Sequence, residues 1–163
     1  MQSVVNLCNF AMMKNANYDK WLKRMADYCS RSERCEFDVR TKLEKALLEI
    51  EEKDELIDYL IDNKYIDNAR FSQFFANDKY KFNKWGKQKI RMHLKHKQII
   101  SSDIEHSLSL IDMKQYKKNL KDALDKKIKS TKEADKYKLR EKVIRNALSK
   151  GYEMNLIMDL LKI

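Results

Sequence analysis

The sequence predicts an all-helical protein, and three observations carry that prediction. Proline is absent and glycine occurs only at Gly86 and Gly151, which leaves few residues for the tight hairpin turns of β folds. Apolar residues recur three and four apart along most of the chain, the spacing of one helix face. A short pattern also returns three times, near 50 residues apart, a period of stacked helical arrays. It reads Arg40-Thr41-Lys42-Leu43, Lys87-Gln88-Lys89-Ile90 and Arg140-Glu141-Lys142-Val143. The apolar residue four later is Leu47, Leu94 and Ala147 in turn, and the following helix's apolar pair or single starts at Leu56, Ile104 and Leu156. The expected architecture is therefore all-α: three tandem three-helix modules stacked into an elongated, curved body, since one such module buries too little surface alone.

Taken in order, residues 1–17 read as a loosely ordered leader, without the cationic start of a signal peptide. Module one, residues 18–66, opens with a helix from Tyr18 to Cys29 facing Trp21, Leu22, Met25 and Tyr28 inward. Ser30 or Ser32 is expected to cap the next helix, which carries Phe37, Val39, Leu43, Leu47 and Ile50. A third helix holds Leu56, Ile57, Leu60 and Ile61. Module two, residues 67–112, starts with Asp67 or Asn68 as cap and Phe71, Phe74 and Phe75 on the helix. Its second helix buries Gly86, Ile90 and Leu94. Ser101-Ser102-Asp103 caps a third with Ile104, Leu108 and Ile111. Module three, residues 113–163, repeats the cadence with Tyr116, Leu120 and Leu124, then Leu139, Val143 and Ala147, then Leu156, Ile157, Leu160 and Leu161.

Charge separates along this frame. The net charge is +10 over 163 residues. Residues 44–67 hold nine acids against three lysines, whereas Lys79 to Ser102 holds eight Lys/Arg and no acid. Segregated positive charge points to a polyanion, nucleic acid first. The first-choice contacts are Lys79, Lys81, Lys84, Lys87, Lys89, Arg91, Lys95 and Lys97. Among them Lys87, Arg91 and Lys95 form one helical stripe beside the buried edge. Lys117, Lys118, Lys121, Arg140 and Arg145 are accessory candidates in runs that also contain acids. A mixed-sign run is more often a solvated face, and the absence of acids in the central stretch argues against that reading there. Trp85 can stack on a base, but core packing is the leading expectation for both Trp85 and Phe82. Gly86, on the buried edge, is expected to permit a close approach.

Other chemistries find little support. No GxxxxGK[ST] phosphate loop is present, and the basic centre lacks the clustered carboxylates of a metal nuclease. His93 and His96 share a metal-compatible spacing but have no third ligand nearby in sequence. They are expected on a polar surface. Three cysteines without CxxC spacing read as reduced cytosolic thiols. No catalytic residue, metal or cofactor is expected.

The residues around the basic stretch resemble the RecX family of bacterial recombinase regulators. The resemblance runs through Leu60, Tyr65-Ile66-Asp67, Arg70-Phe71, Asp78 to Gly86, Lys89-Ile90, Leu94, Lys97 and Ile99. The outer modules match mainly in hydrophobic pattern. The resemblance implies a non-enzymatic, tandem three-helix protein that binds the RecA–DNA filament and dampens its ATP hydrolysis, strand exchange and recombinational DNA repair. Some RecX-like proteins also bind DNA directly. The residues themselves lead to the expectation of a cytoplasmic monomer that touches single- and double-stranded DNA through phosphates, with no membrane partner, since no stretch approaches the roughly 20 apolar residues a bilayer span needs. The sequence departs from the family's pattern at Glu49 to Glu55, an acidic run where a short glycine-containing turn is usual. The alternative is a stand-alone helical DNA-binding protein acting without RecA. That function needs a helix suited to base edges, and lysines suit phosphates better.

Overall fold

The computed structural model describes the backbone of residues 2–162 and the side chains of residues 16–162. Among these residues the chain forms nine helices and no strand. They are α1 (Gln2–Ser30), α2 (Glu36–Leu43), α3 (Ile50–Asp62), α4 (Asn68–Lys81), α5 (Lys87–His96), α6 (Ser101–Ser109), α7 (Met113–Ser130), α8 (Lys136–Ser149) and α9 (Met154–Leu161). No helix among the described residues is long and apolar enough to cross a membrane. The leader expected over residues 1–17 lies largely outside the residues whose side chains are described. The backbone divides into two compact units, Met1–Phe71 and Ser72–Ile163.

In the first unit, Met25 and Cys29 of α1, Val39 and Leu43 of α2, and Leu56, Ile57 and Leu60 of α3 are buried together. Each pair or triplet repeats at three or four residues, so each helix turns one apolar stripe inward. Trp21, Leu22 and Tyr28 pack at the edge of this core, half-buried. The Cys29 thiol is pushed up to about 11, chiefly by burial, which keeps it protonated and unreactive.

Three expectations fail here for local reasons. Helix α2 stops at Leu43, so Leu47 and Ile50 are exposed, at 93% and 70%; Ala46 and Leu48 turn inward from the loop instead. Neither Ser30 nor Ser32 caps α2. Its N-cap is the buried Cys35, and the Glu36 N–H donates to Asn68 Oδ1 at 2.9 Å. The run Glu49–Glu55 is not a loop but the opening of α3. Glu49 and Glu52 form a reciprocal capping box, and carboxylates there oppose the positive end of the helix dipole.

Asp67 caps α4 as expected, accepting from the Arg70 N–H at 2.8 Å. Helix α6 departs from expectation, since its N-cap is Ile100 without a side-chain cap and Ser101 is already helical. Three helix ends share one device. After α3, α5 and α8 the chain enters a left-handed residue, Lys64, Gln98 and Gly151, at φ 61°, 59° and 86°. Paired backbone bonds close each end: Tyr65 N–H to Leu60 O, Ile99 N–H to Leu94 O and Tyr152 N–H to Ala147 O, each beside a bond from the left-handed residue's own N–H, to Ile61 O, Lys95 O and Leu148 O in turn. This is the Schellman closure, and only α8 uses glycine for it.

In the second unit the two glycines meet. A Cβ on Gly86 would lie 2.1 Å from the carbonyl carbon and oxygen of Gly151. The Gly86 N–H donates to Lys150 O at 2.8 Å, and the Gln88 N–H to Gly151 O at 3.0 Å. The Lys87 N–H donates to the Tyr116 hydroxyl at 2.7 Å, and that hydroxyl donates to Glu153 Oε2 at 2.8 Å. The start of α5, which no side chain of its own caps, is thus satisfied by the α8–α9 turn and by α7. Asn119, almost fully buried, ties α7 to the end of α4 by donating to Tyr80 O at 2.8 Å. Burial pushes the Tyr116 and Tyr152 phenols well above their ordinary range, so both stay neutral donors.

Candidate nucleic-acid interface

Helix α5 and the turn before it carry the basic stretch, and the fold sorts its charges into two faces. Ile90 and Leu94 are fully buried and Gly86 is closed over, which fixes the rotation of α5. On one side lie Lys87, Arg91 and Lys95. Arg91 grips the Glu105 carboxylate of α6 with two nitrogens, at 2.8 and 2.9 Å, and also meets Gln88. That contact holds the Glu105 carboxyl below its usual range. The expected stripe is therefore partly neutralised from outside the stretch, since Glu105 follows the acid-free segment in sequence. Lys87 lies over the Tyr116 ring at 5.7 Å, next to Glu153.

On the other side stands Trp85. Its indole packs on His93 with ring centres 4.6 Å apart and meets Phe75 edge-on at 6.4 Å. Lys89 Nζ sits 4.6 Å from the indole centre and Lys79 Nζ 5.8 Å from it; Lys79 is also 5.2 Å from the Phe75 ring. Ammonium groups over ring faces gain cation–π attraction. Lys89 takes no ion pair among the described residues, and the one acid bonded to Lys79 is its neighbour Asp78. His93 responds to this surplus. Its imidazole is held below the ordinary 6.5, first by desolvation and then by Lys89, His96, Lys79 and Lys97. Both effects disfavour a further positive charge.

The remaining candidates fall in several places. Lys81, the last residue of α4, and Lys84 in the turn are exposed, and Lys84 Nζ donates to Lys81 O. Lys117, Lys118 and Lys121 are exposed on α7, Arg140 is half-buried on α8, and Arg145 pairs with Glu141. Trp85 is half-buried rather than core. Phe82, expected in the core, is 76% exposed, because α4 ends at Lys81 and the turn carries the ring outward. Sequence reasoning did not place Phe75 and His93 beside Trp85, and the spacing of aromatic residues across α4 and α5 was the one signal available. His93 leans on an aromatic ring instead of lining a polar surface. Among the described residues no group of three or more His, Cys, Asp or Glu is placed to hold a metal.

Comparison with known proteins decides the family. Residues 67–108 match RecX, second three-helix domain, and residues 115–161 match RecX, third three-helix domain. The chain belongs to the RecX family. A "Regulatory protein RecX" from a type E strain of Clostridium botulinum is 34% identical over 134 residues, covering 81% of this chain and 62% of that protein. A RecX from Clostridium tetani is 31% identical over 142 residues, 84% of this chain and 65% of that one. The chain thus spans less than two thirds of the length of these curated relatives. A solved RecX structure superposes with a TM-score of 0.84 at 22% identity, covering 94% of this chain and 75% of the other. RecX from Lactobacillus salivarius gives 0.80 at 19%, covering 91% and 96%. At these identities the structural likeness speaks for the tandem helical fold.

Proposed function

We propose that this chain is a non-enzymatic regulator that binds a RecA–DNA filament and restrains its ATP hydrolysis and strand exchange. The observation that carries the reading is the placement of Lys79 and Lys89 over the Trp85 ring, with Lys97 adding positive charge near His93. Cations beside a half-exposed indole suit a phosphate backbone with a stacked base, and stacking on an aromatic contributes about 1–3 kcal/mol per base. Lys81 and Lys84 extend this surface, and Lys117, Lys118 and Lys121 offer further phosphate contacts. Lys87, Arg91 and Lys95 play a lesser part, because Glu105 and Glu153 already offset them. A base-reading function for α5 is disfavoured on the same ground: Arg91, its one arginine, is committed to Glu105. The same reading takes residues 18–66, 67–112 and 113–163 as three modules acting on one extended partner.

The test is RecA ATPase on single-stranded DNA with this protein titrated in. Inhibition that weakens steeply with salt supports the reading, because displaced phosphate counterions set that dependence. An unchanged ATPase rate at saturating protein, alongside retained DNA binding, would favour the stand-alone DNA-binding function instead.

A further inference from the structure

The first unit carries a groove between α1 and α2 that neither the basic stretch nor the family match accounts for. Its volume is about 550 Å³, and Trp21, Arg24, Tyr28, Asp38, Lys42 and Lys45 line it. Here too cations sit on rings. Lys42 Nζ is 3.8 Å and Arg34 Cζ 4.3 Å from the Tyr28 ring centre, and Arg24 Cζ is 4.8 Å from the Trp21 ring. The Arg34 Nε has no hydrogen-bond acceptor, so its guanidinium is held by a ring, not by an acid. Two neighbouring carboxylates are committed elsewhere: Glu33 to Arg70 with two contacts, Glu36 to Arg40. Asp38 is the one acid lining the groove, against Arg24, Lys42 and Lys45.

The groove occupies the same modular position as the Trp85 cluster. The ends of α1 and α4 (Ser30, Lys81), the N-caps of α2 and α5 (Cys35, Gly86) and the buried pairs Val39/Leu43 and Ile90/Leu94 correspond one to one. The same register pairs Tyr28 with Lys79, Arg34 with Trp85, and Lys42 with His93. Ring and cation have exchanged places, yet each module presents a half-buried ring covered by cations. A packing role would not need arginine and lysine at these half-buried positions.

We infer that the α1–α2 groove is a second nucleic-acid-binding site, taking a phosphate on Arg34, Lys42 and Lys45 and a base against Tyr28 or Trp21. The inference rests on the reading of the chain as a nucleic-acid-binding protein. An acidic protein partner would use the cations and leave the rings idle.

The chain's two tryptophans report on the two sites separately. In the Trp85→Phe protein Trp21 is the sole indole, and in the Trp21→Phe protein Trp85 is. Both are titrated with oligothymidylate and, in parallel, with polyglutamate. The expected result is a saturable change in Trp21 emission with oligothymidylate and none with polyglutamate. Adding Lys42→Glu and Lys45→Glu to the Trp85→Phe protein should lower the log–log salt slope by about 1.4, from about 0.7 per contact on a single strand. Circular dichroism checks that this variant is folded. A silent Trp21 beside a responsive Trp85 overturns the second site and leaves the proposed function standing. Two silent tryptophans overturn both. An equal response to polyglutamate overturns the nucleic-acid assignment in favour of an acidic protein surface.

Discussion

Gly86 shows how far a single residue can be read. Its place on the buried edge with Ile90 and Leu94 announced a close approach, and the approach is real. What the sequence did not disclose is the partner, Gly151, since the contact is made between backbones 65 residues apart with no side chain to mark it. Gly86→Ala should cost about 3 kcal/mol or more, because the Cβ would meet backbone that cannot swing aside. Denaturant unfolding followed by circular dichroism measures it. The left-handed residues predict the opposite sign. Lys64→Gly and Gln98→Gly each relieve an L-residue of a left-handed backbone at the expense of chain entropy, for a net gain of about 0.5 kcal/mol in the same assay. His93 supplies a pH dependence. Its folded pKa lies below the ordinary value, so its contribution to stability is present above pH 6.5 and lost as pH falls. A bound polyanion offsets Lys89, Lys79 and Lys97 and favours the imidazolium. DNA binding should therefore take up a proton and strengthen as pH drops through that region, and His93→Gln should flatten the trend in a fluorescence titration.

At the scale of the element, helix existence was legible and helix phase was legible where the apolar repeat was uninterrupted. Helices α5 and α7 bury the residues expected, and α8 buries Val143 and Ala147 but leaves Leu139 half-buried. Helix α2 does not, because Leu43 and Leu47 keep helical spacing across a turn that ends the helix, and nothing in the local sequence distinguishes the two. The buried pair of α2 is Val39 and Leu43, one turn earlier than the repeat suggested. Packing then gives a contrast: Leu94→Ala or Ile90→Ala should cost about 2–5 kcal/mol, whereas Leu47→Ala and Phe82→Ala should stay within about 0.5 kcal/mol. The two faces of α5 were half legible. Periodicity separated the Lys87–Arg91–Lys95 stripe from the Lys89 side correctly. The choice between them needed Glu105 and Glu153, which arrive from α6 and the start of α9.

Across the whole molecule, charge segregation leads to the expectation of a polyanionic partner, and the family match agrees with a regulatory protein of this fold. The proposed contact is the aromatic–cationic surface around Trp85. The most direct test compares two charge-reversed proteins in the RecA ATPase assay, with circular dichroism as the folding control. One carries Lys79→Glu, Lys89→Glu and Lys97→Glu; the other carries Lys87→Glu, Arg91→Glu and Lys95→Glu. The first, still folded, is expected to lose inhibition and most of its salt-dependent DNA binding, while the second retains most of both. Full inhibition by the first and loss by the second would contradict the proposed contact, and would move the interface to the stripe that Glu105 now offsets.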